Sequence, residues 1–180
     1  MARITQISDD AAAPETAAMF QTIRDKVGMV PNLYRVAGNR PAVLAGLLGL
    51  NENLAGGHFD ARTREAIALA VAGANACDYC ASAHATISTG LKVSQDAIEA
   101  HLVGTSDDPK LAAILQLSIA VVNTRGLVTN TELSVARNAG LADGDIVETV
   151  ANVVANIFTN YLNHVAETDI DFPVKNARAA

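Results

Sequence analysis

Three observations predict an all-α fold. Apolar residues recur at helical stride along several stretches, and no run shows the apolar/polar alternation of a half-buried strand. The chain is 50% hydrophobic yet has no tryptophan, four phenylalanines and three tyrosines. A core made mainly of Ala, Leu, Val and Ile favours helices packed at close range. At 180 residues the chain suits one domain, long enough to bury a sizeable core.

Taken in order, Met1 to Ala13 reads as a weakly patterned arm laid against the rest of the molecule. Pro14 opens the first helix, to about Val27, with Ala18, Met19, Ile23 and Val27 apolar and Arg24, Asp25 and Lys26 outside. G-M-V-P-N ends it, because a residue before proline leaves the helical region. Asn32 to Ala37 makes one short turn, and Pro41 starts a helix through about Ala55. After the turn G-G-H-F-D, Asp60 or Thr63 caps a helix over about Ala61 to Ala74. The next helix starts near Cys77, with Asn75 as its cap and Asp78 in its first turn, and runs to about Thr89, stopping at Gly90. Ser94 caps a short helix over Gln95 to Leu102, and G-T-S-D-D-P is a loop. Pro109 opens a strongly apolar helix from Lys110 to about Asn123, and Thr131 to Ala139 forms a short one ended by Gly140. Asp143 or Asp145 begins the best amphipathic pattern: Ile146, Val147, Val150, Val153, Val154, Ile157, Phe158, Tyr161, Leu162 and Val165. The tail from Asp169, containing D-F-P, is extended.

Two longer-range patterns cross these elements. Glu148, Asn152, Asn156, Asn160 and His164 recur every fourth residue. Asparagine is a poor interior helix former, so three in one stripe ask for a reason. A solvated face would carry Lys and Glu instead, which favours a polar seam at a subunit contact or beside a pocket. At an offset of 80 residues, Glu65, Cys77, Cys80 and His84 superpose on Asp145, Ile157, Asn160 and His164. This suggests a single domain over 1–180 built from two copies of one helical unit, a thiol-bearing one at about 41–104 and a degenerate one at about 109–168. The arm, 1–13, and the tail, 169–180, flank them.

Charge and composition exclude several classes. A formal net charge of −6 without a Lys/Arg run gives nothing for a nucleic acid to bind. The first residues hold no apolar signal core, and no apolar run reaches ~18 residues, so neither export nor a membrane span is expected. The expected compartment is the cytoplasm, where a Cys-x-x-Cys pair stays reduced and reads as redox or metal chemistry.

That pair comprises the only two cysteines, Cys77 and Cys80. On a helix Cys77, Cys80 and His84 share one face, and Cys80 and His84 are an i,i+4 pair close enough for proton transfer. A cysteine of such a pair near a helix N-terminus has its pKa lowered. Glu65 precedes Cys77 by twelve residues, about 120° of rotation, so on one straight helix it would miss the thiol face. A break at Gly73 to Asn75 would bring Glu65 back over Cys77, as base for that thiol while His84 serves Cys80. Cysteines ordinarily pack as small hydrophobes and a lone helical histidine is ordinarily structural; the shared spacing argues for function. A zinc site is the chemical rival, but it needs a fourth ligand, from His58, His101, His164 or another subunit. His58 and His101 read as surface residues, and Tyr79 as packing beside the pocket.

Glu-x11-Cys-x-x-Cys-x3-His, preceded by R-T-R-E and with tyrosine between the cysteines, resembles the AhpD-like alkylhydroperoxidase branch of the carboxymuconolactone decarboxylase superfamily. The C-terminal run A-N-I-F-T-N-Y-L-N-H-V-A-E-T-D-I-D-F-P is similar to its uncharacterised peroxidase-related members. The resemblance implies an all-α homo-oligomer, a trimer or hexamer, whose dithiol reduces hydroperoxides and is recharged by a dihydrolipoyl- or thioredoxin-type reductant. It implies that Cys80 attacks the peroxide, Cys77 resolves, and Glu65 and His84 relay protons, with no metal and no organic cofactor. Two rivals stand beside it: a decarboxylase of small organic acids that does not need the thiols, and a non-enzymatic dithiol redox sensor.

Overall fold

The computed structural model describes residues 2–177, so what the sequence leads one to expect of Met1 and 178–180 lies outside the described residues. Among those described there are nine α-helices and no strand: α1 (Pro14–Val27), α2 (Asn32–Ala37), α3 (Pro41–Ala55), α4 (Ala61–Asn75), α5 (Asp78–Gly90), α6 (Gln95–Leu102), α7 (Pro109–Thr124), α8 (Asn130–Asn138) and α9 (Asp143–Ala166). The starts follow local chemistry. Proline occupies the first turn of α1, α3 and α7, where its missing N–H costs nothing. Asp60, Ser94 and Asp108 accept hydrogen bonds from Thr63, Ala97 and Leu111 at the starts of α4, α6 and α7. At α8 the cap is Thr129, in a capping box with Glu132, so the helix starts one residue before Thr131.

Helix α4 is the centre, with α5, α6, α7 and α9 packed around it. Ala66 to Ala72 are all buried, which requires the small and aliphatic residues found there. Gly73 is not a breaker. A Cβ on it would lie 1.9 Å from the Leu102 carbonyl oxygen, so its lack of a side chain lets α6 end against α4. The break falls at Ala76, in the left-handed region at φ 54°, and Cys77 in place of Asn75 is the N-cap of α5.

Helix α9 turns a polar seam inward. Its buried residues include Asp145, Thr149, Asn152, Thr159, Asn160 and Asn163. Val147, Val150, Val154, Phe158, Tyr161 and Val165 lie outward, 38% to 68% exposed. The amphipathic pattern is there, but its inward side carries these polar residues: Asn75 of α4 donates to Asn160 Oδ1 at 3.0 Å, while Val153 joins Ile67 and Val71 in the apolar core. In α1, likewise, Phe20 and Thr16 are buried with Ile23, while Ala18 and Val27 are exposed.

His101 is also a correction. It is buried at 7% exposure because Ile98, His101 and Leu102 form the face that α6 turns inward. Burial alone holds its pKa low. His58 is exposed but engaged, its Nδ1 lying 2.8 Å from the buried Asp145 carboxylate.

The arm carries one 3-10 turn, Asp9–Ala11. It is pinned by Arg3 N–H on the Ala166 carbonyl and Ile7 N–H on that of Arg35. The tail folds back over α5. Lys175 N–H donates to Ser82 Oγ at 2.8 Å and Ala177 N–H to Asp78 Oδ1 at 2.8 Å. No helix among the described residues is long and apolar enough to cross a membrane.

Candidate active site

The site forms where the α4–α5 turn meets α9. Cys77, at the start of α5, and Cys80, one turn on, are unbridged and 1% and 2% exposed. Cys80 lines a cavity of about 160 Å³ with His84, Tyr34, Tyr79, Phe172 and Asn156 among its walls. The enclosure is mainly apolar, with Val27, Pro31, Leu33 and Ile87 completing it.

The two sulfurs are inequivalent. The Cys77 thiol donates to Cys80, and this hydrogen bond, burial and the charge on Cys80 push the Cys77 pKa up. The same hydrogen bond lowers Cys80, outweighing burial, with side-chain donors of α9 assisting. Asn163 Nδ2 donates to Cys80 Sγ at 3.2 Å. Thr159 and Asn160 face the same sulfur, although the Thr159 hydroxyl proton is committed to the Asn156 carbonyl at 2.9 Å. The Asn163 amide, the side-chain donor within hydrogen-bond distance of the sulfur, is therefore the strongest influence from α9. The 4.0 Å approach of Cys77 Sγ to the Asn160 carbonyl is at the far limit of sulfur hydrogen bonding and does not compete.

Glu65 reaches His84, not a sulfur: its Oε2 lies 2.7 Å from His84 Nδ1. The turn at Ala76 folds α5 back on α4, which brings together two residues that a straight helix would separate. Burial opposes a charge on His84, yet the Glu65 carboxylate, through its charge and its hydrogen bond, and the neighbouring Cys77 raise the imidazole's pKa. Burial and the Glu65 charge raise Tyr34. Tyr79 is buried, its hydroxyl donating to Asp171 at 2.8 Å and accepting from Leu33 N–H at 3.0 Å. It stands edge-on to Phe172, with ring centroids 5.8 Å apart.

All four residues singled out in the sequence thus converge, and so do two of the α9 stripe, Asn156 and Asn160. His164 drifts out to solvent. Asn163 takes the position on the sulfur that spacing alone did not identify; four-residue steps rotate about 40° past the axis, so the inward face passes to a residue three along. No grouping of three or more His, Cys, Asp or Glu among the described residues is placed to hold a metal ion.

The fold and site define an all-α protein carrying a buried, polarised dithiol beside an apolar cavity. Residues 41–120 match the carboxymuconolactone decarboxylase family. A peroxidase-related protein of Ralstonia eutropha JMP134, described as an alkylhydroperoxidase AhpD core, superposes with a TM-score of 0.83 at 20% identity, over 94% of this chain and 92% of that one. A peroxidase-related protein of Silicibacter sp. TM1040 gives 0.81 at 20% identity, over 93% and 89%. The debrominase Bmp8 gives 0.78 at 21% identity, over 94% and 92%. A cysteine-to-alanine variant of Bmp8, in complex with 2,3,4-tribromopyrrole, gives 0.79 at 20% identity, over 94% and 91%. These likenesses establish the fold. Among curated proteins none matches the sequence significantly.

Proposed function

We propose that this protein is a thiol-dependent peroxidase acting on organic hydroperoxides. The observation that carries the reading is the asymmetry of the dithiol: Cys80 lies on the cavity with its pKa lowered, and Cys77 beside it holds its proton. The thiolate is the nucleophile. The Cys80 thiolate attacks one peroxide oxygen, an S–O bond forms as the O–O bond breaks, and the alkoxide leaves. His84, its pKa raised by Glu65 and lining the same cavity, supplies the proton that makes the alkoxide an alcohol. The Cys77 sulfur then attacks the Cys80 sulfenic acid, its proton leaving with the hydroxide as water, and a disulfide forms. An external dithiol of dihydrolipoyl or thioredoxin type restores the pair by exchange.

Stopped-flow consumption of an organic hydroperoxide by the reduced protein tests this. The reading expects a fast first turnover that survives in Cys77→Ser and is lost in Cys80→Ser. A parent protein that leaves the hydroperoxide untouched removes it, and decarboxylation of a small organic acid that persists when both cysteines are replaced with serine favours the decarboxylase-like rival.

The likeness to Bmp8 and the aromatic walls of the cavity support a second reading, reductive removal of bromine from a small aromatic compound. There the dithiol gives two electrons: the carbon–bromine bond is replaced by carbon–hydrogen, bromide and a proton are released, and the disulfide forms. Bromide release from a bromopyrrole, without hydroperoxide turnover, would select it. Assembly as a homo-oligomer is part of the proposal, supported by the outward apolar stripe of α9.

A further inference from the structure

Buried polar atoms nearly always have hydrogen-bond partners, so an exception beside a reactive sulfur asks for an explanation. Two such exceptions lie together here. Asn160 is fully buried, its Oδ1 held by Asn75, and its Nδ2 has no hydrogen-bond partner. Asn163, 4% exposed, donates through Nδ2 to Cys80 Sγ, and its Oδ1 has no partner. One unused donor and one unused acceptor thus flank one sulfur, on a helix where asparagine is intrinsically unfavourable.

Resting on the peroxidase reading, we propose that the Asn160 and Asn163 side chains are catalytic residues forming a receptor for the oxygen that Cys80 takes from the peroxide, with Asn160 Nδ2 donating to that oxygen and Asn163 Oδ1 accepting its hydrogen. A sulfenic acid needs both: its oxygen accepts, and its O–H donates. Neither amide lines the cavity, so the oxygen reaches them by rotation about the Cβ–Sγ bond after the alcohol leaves. The rotation clears the cavity and turns the sulfenic oxygen to a donor that stabilises it as it departs as hydroxide when Cys77 attacks. No external reactant beyond the hydroperoxide enters these steps. Donors fixed before the reaction stabilise developing charge without a reorganisation cost, which is where buried amides are most effective.

The test uses the full chain in a Cys77→Ser background, where the sulfenic acid cannot be resolved. Asn160→Leu and Asn163→Ala variants are oxidised with cumene hydroperoxide at matched thiolate occupancy, read from ultraviolet thiolate absorbance. Sulfenic acid is followed by dimedone capture and mass spectrometry. Loss of one buried hydrogen bond to the sulfenic acid predicts its loss faster by about tenfold, with its rate of formation unchanged. Asn163→Ala keeps the comparison alive if Asn160→Leu does not fold. A parent-like lifetime in folded variants overturns the receptor while leaving the peroxidase intact. A parent that never reacts with the hydroperoxide overturns both.

Discussion

Glu65 and His84 show how little of a residue's role lies in the residue itself. Each is ordinary alone, a carboxylate in a charged helix start and a single helical histidine. At 2.7 Å they form one unit that raises the imidazole's pKa against the pull of burial. Replacing Glu65 with Gln leaves burial in command and lowers the His84 pKa, which NMR titration of the imidazole reads directly. The sign follows for stability. A raised folded pKa stabilises below the ordinary histidine value of about 6.5, and the gain is lost as pH rises through the folded pKa. Denaturation midpoints of parent and Glu65→Gln proteins should therefore diverge below the His84 pKa and converge above it. The four residues Glu65, Cys77, Cys80 and His84 were legible because they sit in one short stretch with two coincident spacings. Asn163 was not. Its contact with Cys80 spans 83 residues, and nothing local separates it from Asn156 or Asn160.

Helix boundaries were legible wherever a local signal sets them: Pro14, Pro41 and Pro109 at starts, Asp60 and Ser94 as caps. They were misread where packing decides. Gly73 looks like a breaker in sequence and is a contact point in the structure, whereas Ala76, which carries no turn signal, takes the left-handed conformation. Gly73→Ala should force α6 away from α4, since the obstructing atom is a backbone carbonyl. The expected loss is about 1–3 kcal/mol, seen as a lower thermal midpoint. On α5, Tyr79→Phe keeps the ring beside Phe172 but strips the partner from the Leu33 N–H and one of two donors from the Asp171 carboxylate. That should cost about 1–3 kcal/mol and is checked by chemical denaturation. The amphipathic period of α9 and its asparagine seam were readable; whether the seam meets a subunit or a pocket was not, because the period is the same either way. A seam of amides suits the polar sulfur site, and the valine stripe is left outside.

For the molecule as a whole, the outward stripe from Val147 to Val165 predicts association. Phe158→Asp, placing a charge in its middle, should shift the protein toward monomer in light scattering without unfolding it. A parent already monomeric at the same concentration would contradict that expectation. The all-α architecture followed from composition and stride because both report packing density and period directly. The tail's role did not. Asp171, Phe172, Lys175 and Ala177 hold α5 and wall the cavity through contacts with residues far back in the chain. An extended segment carries no periodicity to announce such contacts.

The central claim is that two free sulfurs, unequal in their hold on a proton, together deliver two electrons to a hydroperoxide. Titrating the reduced protein with cumene hydroperoxide and mapping its peptides by mass measures this directly. The account predicts one hydroperoxide consumed per chain, loss of the mass of two hydrogens, and a Cys77–Cys80 crosslink, with a stable sulfenic acid on Cys80 in Cys77→Ser. Unreacted thiols after full exposure, or oxygen found first on Cys77, would contradict it.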